Sequence, residues 1–190
     1  MMKKVISVFM IVVILIIGTF LFSKGEGNTE EADLNETLIE EEQREFGVVE
    51  EELNEVTDSI YSEVSKIVNG VHDVLNKITG FDSHERYIDP DSEFWDSAVS
   101  RMETQIRAIE RTIEFAEGDV KADLEDFVKI TKIAIANHDH QALIYSHRII
   151  HDVDTMYNGL NKKVFNAARL SNRNEETSTI IQSIIDEASL

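Results

Sequence analysis

The chain has 190 residues and a mass of 21.6 kDa, which is enough for one ordinary domain with an appendage. It carries 18 Lys and Arg residues against 37 Asp and Glu residues, and the net charge of −19 excludes nucleic-acid binding, which needs a basic surface. The absence of cysteine excludes a disulfide scaffold, a thiolate zinc site and a cysteine nucleophile.

An uncharged apolar run follows the lysine pair near the N-terminus. It begins at Val5, ends at Phe22 and is 18 residues long, with Ser7, Gly18 and Thr19 as its only small or polar members. As a helix it is about 27 Å long, close to the thickness of the hydrocarbon core of a bilayer. The run therefore predicts a transmembrane helix and makes residues 1–24 a membrane anchor. A cleaved signal peptide is the alternative, although its apolar stretch is usually only about 7–15 residues long.

The charges on either side of this run predict its orientation. Lys3 and Lys4 precede it, whereas all the acidic residues of the chain follow Lys24. Positively charged residues near a membrane span stay on the cytoplasmic side. We therefore expect a cytoplasmic N-terminus and a single pass through the cell membrane, with the bulk of the chain on the extracytoplasmic side.

Acidic residues dominate the next part of the chain. Between Glu26 and Glu63 there are 15 acids and a single base, Arg44. Runs of like charge repel one another and stay hydrated, so we expect residues 25–52 to form an acidic stalk, either partly disordered or helical. A weak cation reservoir or a docking segment for a basic partner is the alternative interpretation.

Apolar residues recur at helical spacing from residue 53 onward and predict an all-α domain over residues 53–190. Gly80 is expected to end the first long helix, and Asp89 with Pro90 to begin the second. Such helices bury their apolar faces only against one another, which predicts an antiparallel up-down bundle of about four helices. The expected helices cover residues 48–79, 89–117, 119–137 and 140–157, with shorter helical segments at 160–170 and 180–188.

Histidines are the main candidates for a binding site. On the fourth expected helix, His140, His147 and His151 lie within about 40° of one another, opposite the apolar face. This predicts a stripe of histidines on the side away from the core. His147 and His151 are four residues apart and can share one metal ion, whereas His140 lies too far along the helix to join them. A third ligand would have to come from another helix or a loop.

The residues around these histidines match no catalytic motif. Arg148 and Ile149 follow His147, so the His-Glu-x-x-His pattern is absent, and Glu-x-x-His does not occur in the chain. Asp152 and Asp154 project about 200° apart on a helix and cannot act on one substrate. We therefore predict no catalytic residues, no cofactor and no metal ligands, and interpret the histidines as exposed or hydrogen-bonded.

The sequence thus favours a non-enzymatic protein that is tethered to the membrane and has a binding, sensing or scaffolding role at the cell surface, with a protein partner there. The alternative is an exported metal-binding protein or metal-dependent enzyme that uses His147 and His151. Self-association through the apolar stripe from Leu53 to Ile78 is a third hypothesis, which the acidic flank of that stripe disfavours.

Overall fold

The computed structural model of the chain describes the backbone of residues 29–188 and the side chains of Val49 and of residues 51–188. The apolar run that predicts the membrane anchor lies outside the described residues. Within residues 29–188, no helix combines the length and the apolar character that crossing a bilayer requires. The chain divides into two compact units, Met1–Leu53 and Asn54–Leu190. The first is described from residue 29 and is helical there, and the second contains the packed core.

The regular secondary structure of residues 29–188 is entirely helical, with no β-strand, which confirms the expectation of an all-α helical bundle. In this part of the chain, α-helices alternate with short turns and with two 3₁₀ helices. In chain order the elements are α1 (Thr29–Thr79), a 3₁₀ helix (Ser83–Tyr87), α2 (Phe94–Ile113), α3 (Gly118–Asn137), α4 (His140–Tyr157), a second 3₁₀ helix (Arg169–Ser171) and α5 (Glu175–Glu187).

Some helix boundaries differ from those expected. The first helix ends at Thr79 as predicted but begins at Thr29, so the acidic residues that precede position 48 are already helical. The second helix begins at Phe94 and not at Asp89, because Asp89 closes a turn instead. Its carboxylate accepts a hydrogen bond from the backbone N–H of Asp91 at 3.0 Å, and its carbonyl accepts one from the indole N–H of Trp95 at 3.2 Å.

The fourth helix begins at His140, as expected, and Asp139 caps it. Asp139 accepts hydrogen bonds from the backbone N–H groups of Gln141 and Ala142 at 2.8 and 3.0 Å, which satisfies two of the free donors at the start of α4. Just before it, His138 ends α3 in the left-handed conformation, and its ring stacks on Trp95. The two-residue connection therefore fixes both helix ends.

Helix α4 is enclosed on almost every side. It packs against α3, the second 3₁₀ helix and α5, and its side chains contact α1. The spacing of the sequence predicts one buried face, made of Ala142, Ser146, Ile149, Val153 and Met156. This face is buried except for Met156, which is 46% exposed, so the prediction was wrong at its last residue. The buried residues of α4 lie all around the helix: Ala142, Leu143, Tyr145, Ser146, Ile149, Ile150, Asp152, Val153, Asp154 and Thr155.

Two buried carboxylates hold the segment that follows α4 on the bundle. Asp152 accepts hydrogen bonds from the backbone N–H groups of Phe165 and Ala167, both at 2.7 Å. Asp123 of α3 accepts one from the backbone N–H of Arg169 at 2.8 Å. These bonds satisfy backbone donors that have no helical partner, which is why residues 160–168 pack without forming the expected helix.

Candidate metal centre

The histidines of α4 do not form the outward-facing stripe that their spacing predicts. His147 and His151 are half-buried and face α1, where His72 is only 1% exposed. His140 lies apart from them and contacts His84, with 3.2 Å between Nε2 of His140 and Nδ1 of His84. The prediction was wrong because α1 covers the side of α4 opposite its apolar face.

His72, His147 and His151 form a compact cluster. One ring nitrogen of each lies within 4.8 Å of the others, and Nε2 of His72 lies 3.1 Å from Nδ1 of His151. Zinc–nitrogen bonds of about 2.05 Å at tetrahedral angles place two ligating nitrogens about 3.3 Å apart. The His72–His151 pair therefore already has a spacing close to that of two ligands on one ion, and His147 offers a third nitrogen within 4.8 Å of both.

A buried carboxylate orients His72. The Nδ1–H group of His72 donates a hydrogen bond to Oδ2 of Asp154 at 2.8 Å, and neither side chain is more than 1% exposed. Asp154 also accepts from the amide of Asn158 at 2.6 Å and lies 3.5 Å from the amide of Asn69. Because Nδ1 carries the hydrogen, Nε2 of His72 presents a free lone pair to the cluster. A carboxylate on the far nitrogen is the usual outer partner of a metal-binding histidine.

A backbone carbonyl orients His151 in the same way. Its Nε2–H donates to the carbonyl oxygen of Lys163 at 2.9 Å. A carbonyl oxygen only accepts, so Nε2 of His151 carries a hydrogen, and in the neutral ring Nδ1 is then a bare acceptor. This acceptor faces Nε2 of His72, also bare, at 3.1 Å. Two lone pairs at this distance repel each other, and either a proton or a metal ion shared between them removes that repulsion.

The third histidine has a buried nitrogen without a hydrogen-bond partner. Nε2 of His147 is inaccessible to solvent and unbonded, an arrangement that costs roughly 1–3 kcal/mol in a protein interior. Burial, together with the nearby His72 and His151, lowers the pKa of His147 to about 3. Burial also lowers the pKa of His72, against the opposing effect of Asp154. Both rings are therefore neutral at neutral pH, the form that binds metal ions.

An aromatic side chain covers the cluster from the segment after α4. The ring of Phe165 lies 4.8 Å from that of His151 and 6.3 Å from that of His147, and Arg148 lies over the ring of Phe165. The backbone of Phe165 is held by Asp152. Asp152 thus positions Phe165, whereas Asp154 orients His72. The two acids therefore act on different groups, as their angular separation on the helix predicts.

The donor set indicates which ions the cluster can hold. Three imidazole nitrogens without a thiolate suit Zn²⁺, Cu²⁺, Ni²⁺ and similar ions, whereas Ca²⁺ and Mg²⁺ prefer oxygen ligands. Three protein ligands also leave one tetrahedral position for water or for an external donor.

Sequence reasoning missed His72, although a signal for it was present. His72 lies four residues after Val68 and three before Leu75, within the buried face of α1. A histidine in an apolar stripe needs a buried hydrogen-bonding or charged partner, because burying a polar group alone is costly. The apolar stripe of α1 therefore indicated that His72 has a hydrogen-bonding or charged partner, but it did not identify that partner.

A second polar region lies away from the histidines. A cavity of about 380 Å³ is lined by residues of α3, of α5 and of the segment between α4 and α5. Its two guanidinium groups are already paired: Arg169 and Arg173 both contact Asp123 and Asp126, at 2.7–3.2 Å. These charges compensate one another and hold the C-terminal segment in place.

Comparisons of the chain with protein-family models, with curated proteins and with solved structures found no match.

Proposed function

We propose that the protein is a membrane-anchored, extracytoplasmic bundle of antiparallel up-down helices that binds a divalent transition-metal ion through His72, His147 and His151. Its role is binding or sensing at the cell surface rather than catalysis. The metal-binding part of this proposal corresponds to the alternative that the His147–His151 spacing suggested.

One observation carries the metal-binding proposal: the hydrogens of two histidines are directed away from each other. His72 donates to Asp154 and His151 donates to the Lys163 carbonyl, so in the neutral rings their lone pairs meet at 3.1 Å, and His147, the third member of the cluster, has a buried nitrogen without a partner. A histidine cluster that served only to hydrogen-bond would direct hydrogens and lone pairs toward each other. Convergent lone pairs are what a cation requires.

The surroundings of the cluster support binding rather than catalysis. A catalytic zinc ion activates water, usually with a nearby acid or base that exchanges protons. The carboxylate in contact with the cluster, that of Asp154, accepts from His72 and Asn158 and lies 3.9 Å from the ammonium group of Lys162. It is committed to these partners and poorly placed to act as a general base.

Calorimetric titration of the full-length chain, stripped of metal by a chelator, tests metal binding. We expect one Zn²⁺ per chain, bound with micromolar or tighter affinity, and no heat from Mg²⁺ or Ca²⁺ above the control. His147→Ala removes a ligand and should weaken zinc binding at least tenfold. His84→Ala and His140→Ala are matched controls from the other histidine pair and should leave the affinity unchanged. Zinc heat equal to the buffer control would refute the proposal.

The membrane anchor and the orientation are supported by the sequence alone, through the uncharged run from Val5 to Phe22 and the lysines before it. Protease treatment of intact protoplasts tests both. We expect the chain after Ser23 to be degraded from outside while a cytoplasmic control protein survives. Protection of the chain until the membrane is permeabilised would contradict the proposed orientation, and recovery of the full-length chain in the soluble fraction would contradict the anchor.

A further inference from the structure

The three proposed ligands come from two helices that are distant in the chain. His147 and His151 lie one turn apart on α4, whereas His72 belongs to α1 and is separated from His151 by 79 positions. An ion bound by all three would therefore cross-link α1 to α4. The consequence depends on how α1 is otherwise attached.

The attachment of α1 is confined to its C-terminal part. Its buried apolar residues begin at Val64 and end at Ile78, and one turn earlier Tyr61 stacks on Tyr157 of α4 and donates a hydrogen bond to its carbonyl, while Leu53 and Val56 are 45% and 57% exposed. The docked stretch, residues 64–79, is therefore about four helical turns long. His72 lies at its centre and is as buried as the aliphatic residues around it: Val64, Val68, Val71, Leu75 and Ile78.

The centre of the docked stretch is also its weakest part. Gly70 lies in the helix interior, where a Cβ would meet nothing within 4 Å, and such a glycine lowers helix stability by about 1 kcal/mol. Two residues later, Nε2 of His72 faces the bare Nδ1 of His151. Next to them, Nε2 of His147 has no partner. The hydrogen bond from His72 to Asp154 holds α1 on α4 at this point, whereas the bare nitrogens on the inner side of the cluster oppose docking unless a cation joins them.

We propose that the bound ion is a clamp: its occupancy regulates whether residues 64–79 of α1 stay docked on α4. This inference rests on the proposed function, because it concerns the same three histidines. When residues 64–79 undock from α4, His72 leaves the site and the ion loses a ligand. Because the ion binds the docked state more tightly, it shifts the equilibrium toward that state. An ion present at about 100 times its dissociation constant reduces the population of any state that has lost the site about 100-fold.

Amide hydrogen exchange of the full-length chain tests the clamp. Without metal, we expect amides of residues 64–79 to exchange at least about tenfold faster than the buried amides of α2 around Met102 and Ile109, because undocking of α1 needs less free energy than global unfolding. Saturating Zn²⁺ should slow exchange in residues 64–79 by up to about 100-fold and remove this difference.

Two variants control the experiment. His72→Asn keeps an N–H donor for Asp154 but removes the ligand nitrogen, so zinc should no longer slow exchange in residues 64–79. His84→Ala leaves the site intact and should behave like the natural chain. Calorimetry on the same samples reports whether zinc is bound.

The results of these two measurements distinguish failure of the clamp from failure of the proposed metal binding. If zinc binds but residues 64–79 are already as protected as α2 without it, or are not slowed by it, the clamp is refuted and metal binding stands. If zinc does not bind at all, both proposals are refuted.

Discussion

Hydrogen placement on the histidine rings decides what the cluster can do. The partner on the far nitrogen is an acceptor in both bonded histidines, a carboxylate for His72 and a carbonyl for His151. Each bond leaves the inner nitrogen bare and orients the ring. At the residue scale, the outer partners therefore matter as much as the ligands, because they select the tautomer that binds metal.

Asp154→Asn should weaken zinc binding by about 10- to 100-fold, the usual effect of losing an outer-shell carboxylate. The amide is similar in size, but it removes the negative charge and weakens the hold on the Nδ1–H tautomer of His72. Calorimetric titration measures the change. Asp73→Asn, at the exposed residue next to His72 on α1, is the matched control and should have no effect. Equal affinities for the two variants would show that Asp154 does not orient the ligand.

The metal-free protein should lose stability as the pH falls below 6.5. The pKa of His147 is about 3 in the folded chain and near 6.5 in the unfolded chain. The unfolded chain therefore binds more protons in this interval, and stability present above pH 6.5 is lost as the pH falls toward 3. From pH 7.5 to 5.0 the contribution of His147 is about 2 kcal/mol.

Urea unfolding at both pH values, with chelator present, measures this loss. His147→Leu removes the titrating group and should reduce the decrease in unfolding free energy by about 2 kcal/mol relative to the natural chain. The same decrease in both proteins would mean that His147 is not buried as a neutral ring.

At the scale of elements, α4 makes contacts with three neighbouring parts of the chain. Its aliphatic residues pack on α3, its histidines and Asp154 face α1, and Asp152 holds the segment that follows. This explains how Ser146, Asp152 and Asp154 of α4 can be buried: each has a hydrogen-bond partner on another element. It also explains why one apolar stripe was a poor guide to which side of α4 is exposed.

Asp152→Asn should destabilise the fold by about 2–4 kcal/mol, because an amide cannot accept all the hydrogen bonds that the carboxylate receives from backbone donors. Chemical denaturation measures the loss. Glu125→Gln on the exposed surface of α3 is the control and should change stability by less than about 0.5 kcal/mol. A similarly small effect at Asp152 would show that the segment is held mainly by its apolar contacts.

On the scale of the whole molecule, metal binding should appear as thermal stabilisation. Zinc at about 100 times its dissociation constant adds about 2.7 kcal/mol, which for a fold of this size raises Tm by roughly 5–10 °C. Thermal unfolding followed by circular dichroism measures the shift. His72→Asn should abolish most of it, and Mg²⁺ should produce none. A zinc-induced shift that persists in His72→Asn would place the binding site elsewhere in the chain.

The helices were predictable because their signal is local. Apolar residues every three or four positions specify an amphipathic helix whatever it packs against, so the presence of α2 and the boundaries of α4 followed from the sequence. Capping is also local, as Asp139 shows. The start of α2 was not predictable, because Asp89, expected to cap the helix, uses its carboxylate to accept a hydrogen bond within a turn that precedes the helix.

By itself, the sequence determined the helical class, the absence of thiolate ligands and the spacing of His147 and His151 on one helix. Only the tertiary structure decided that α1 covers those histidines, that His72 joins them, and that Asp154 and the Lys163 carbonyl select their tautomers. The physical reason is that periodicity reports which face of a helix is apolar, but not which other helix lies against it. Contacts between residues 79 positions apart depend on how the whole core packs.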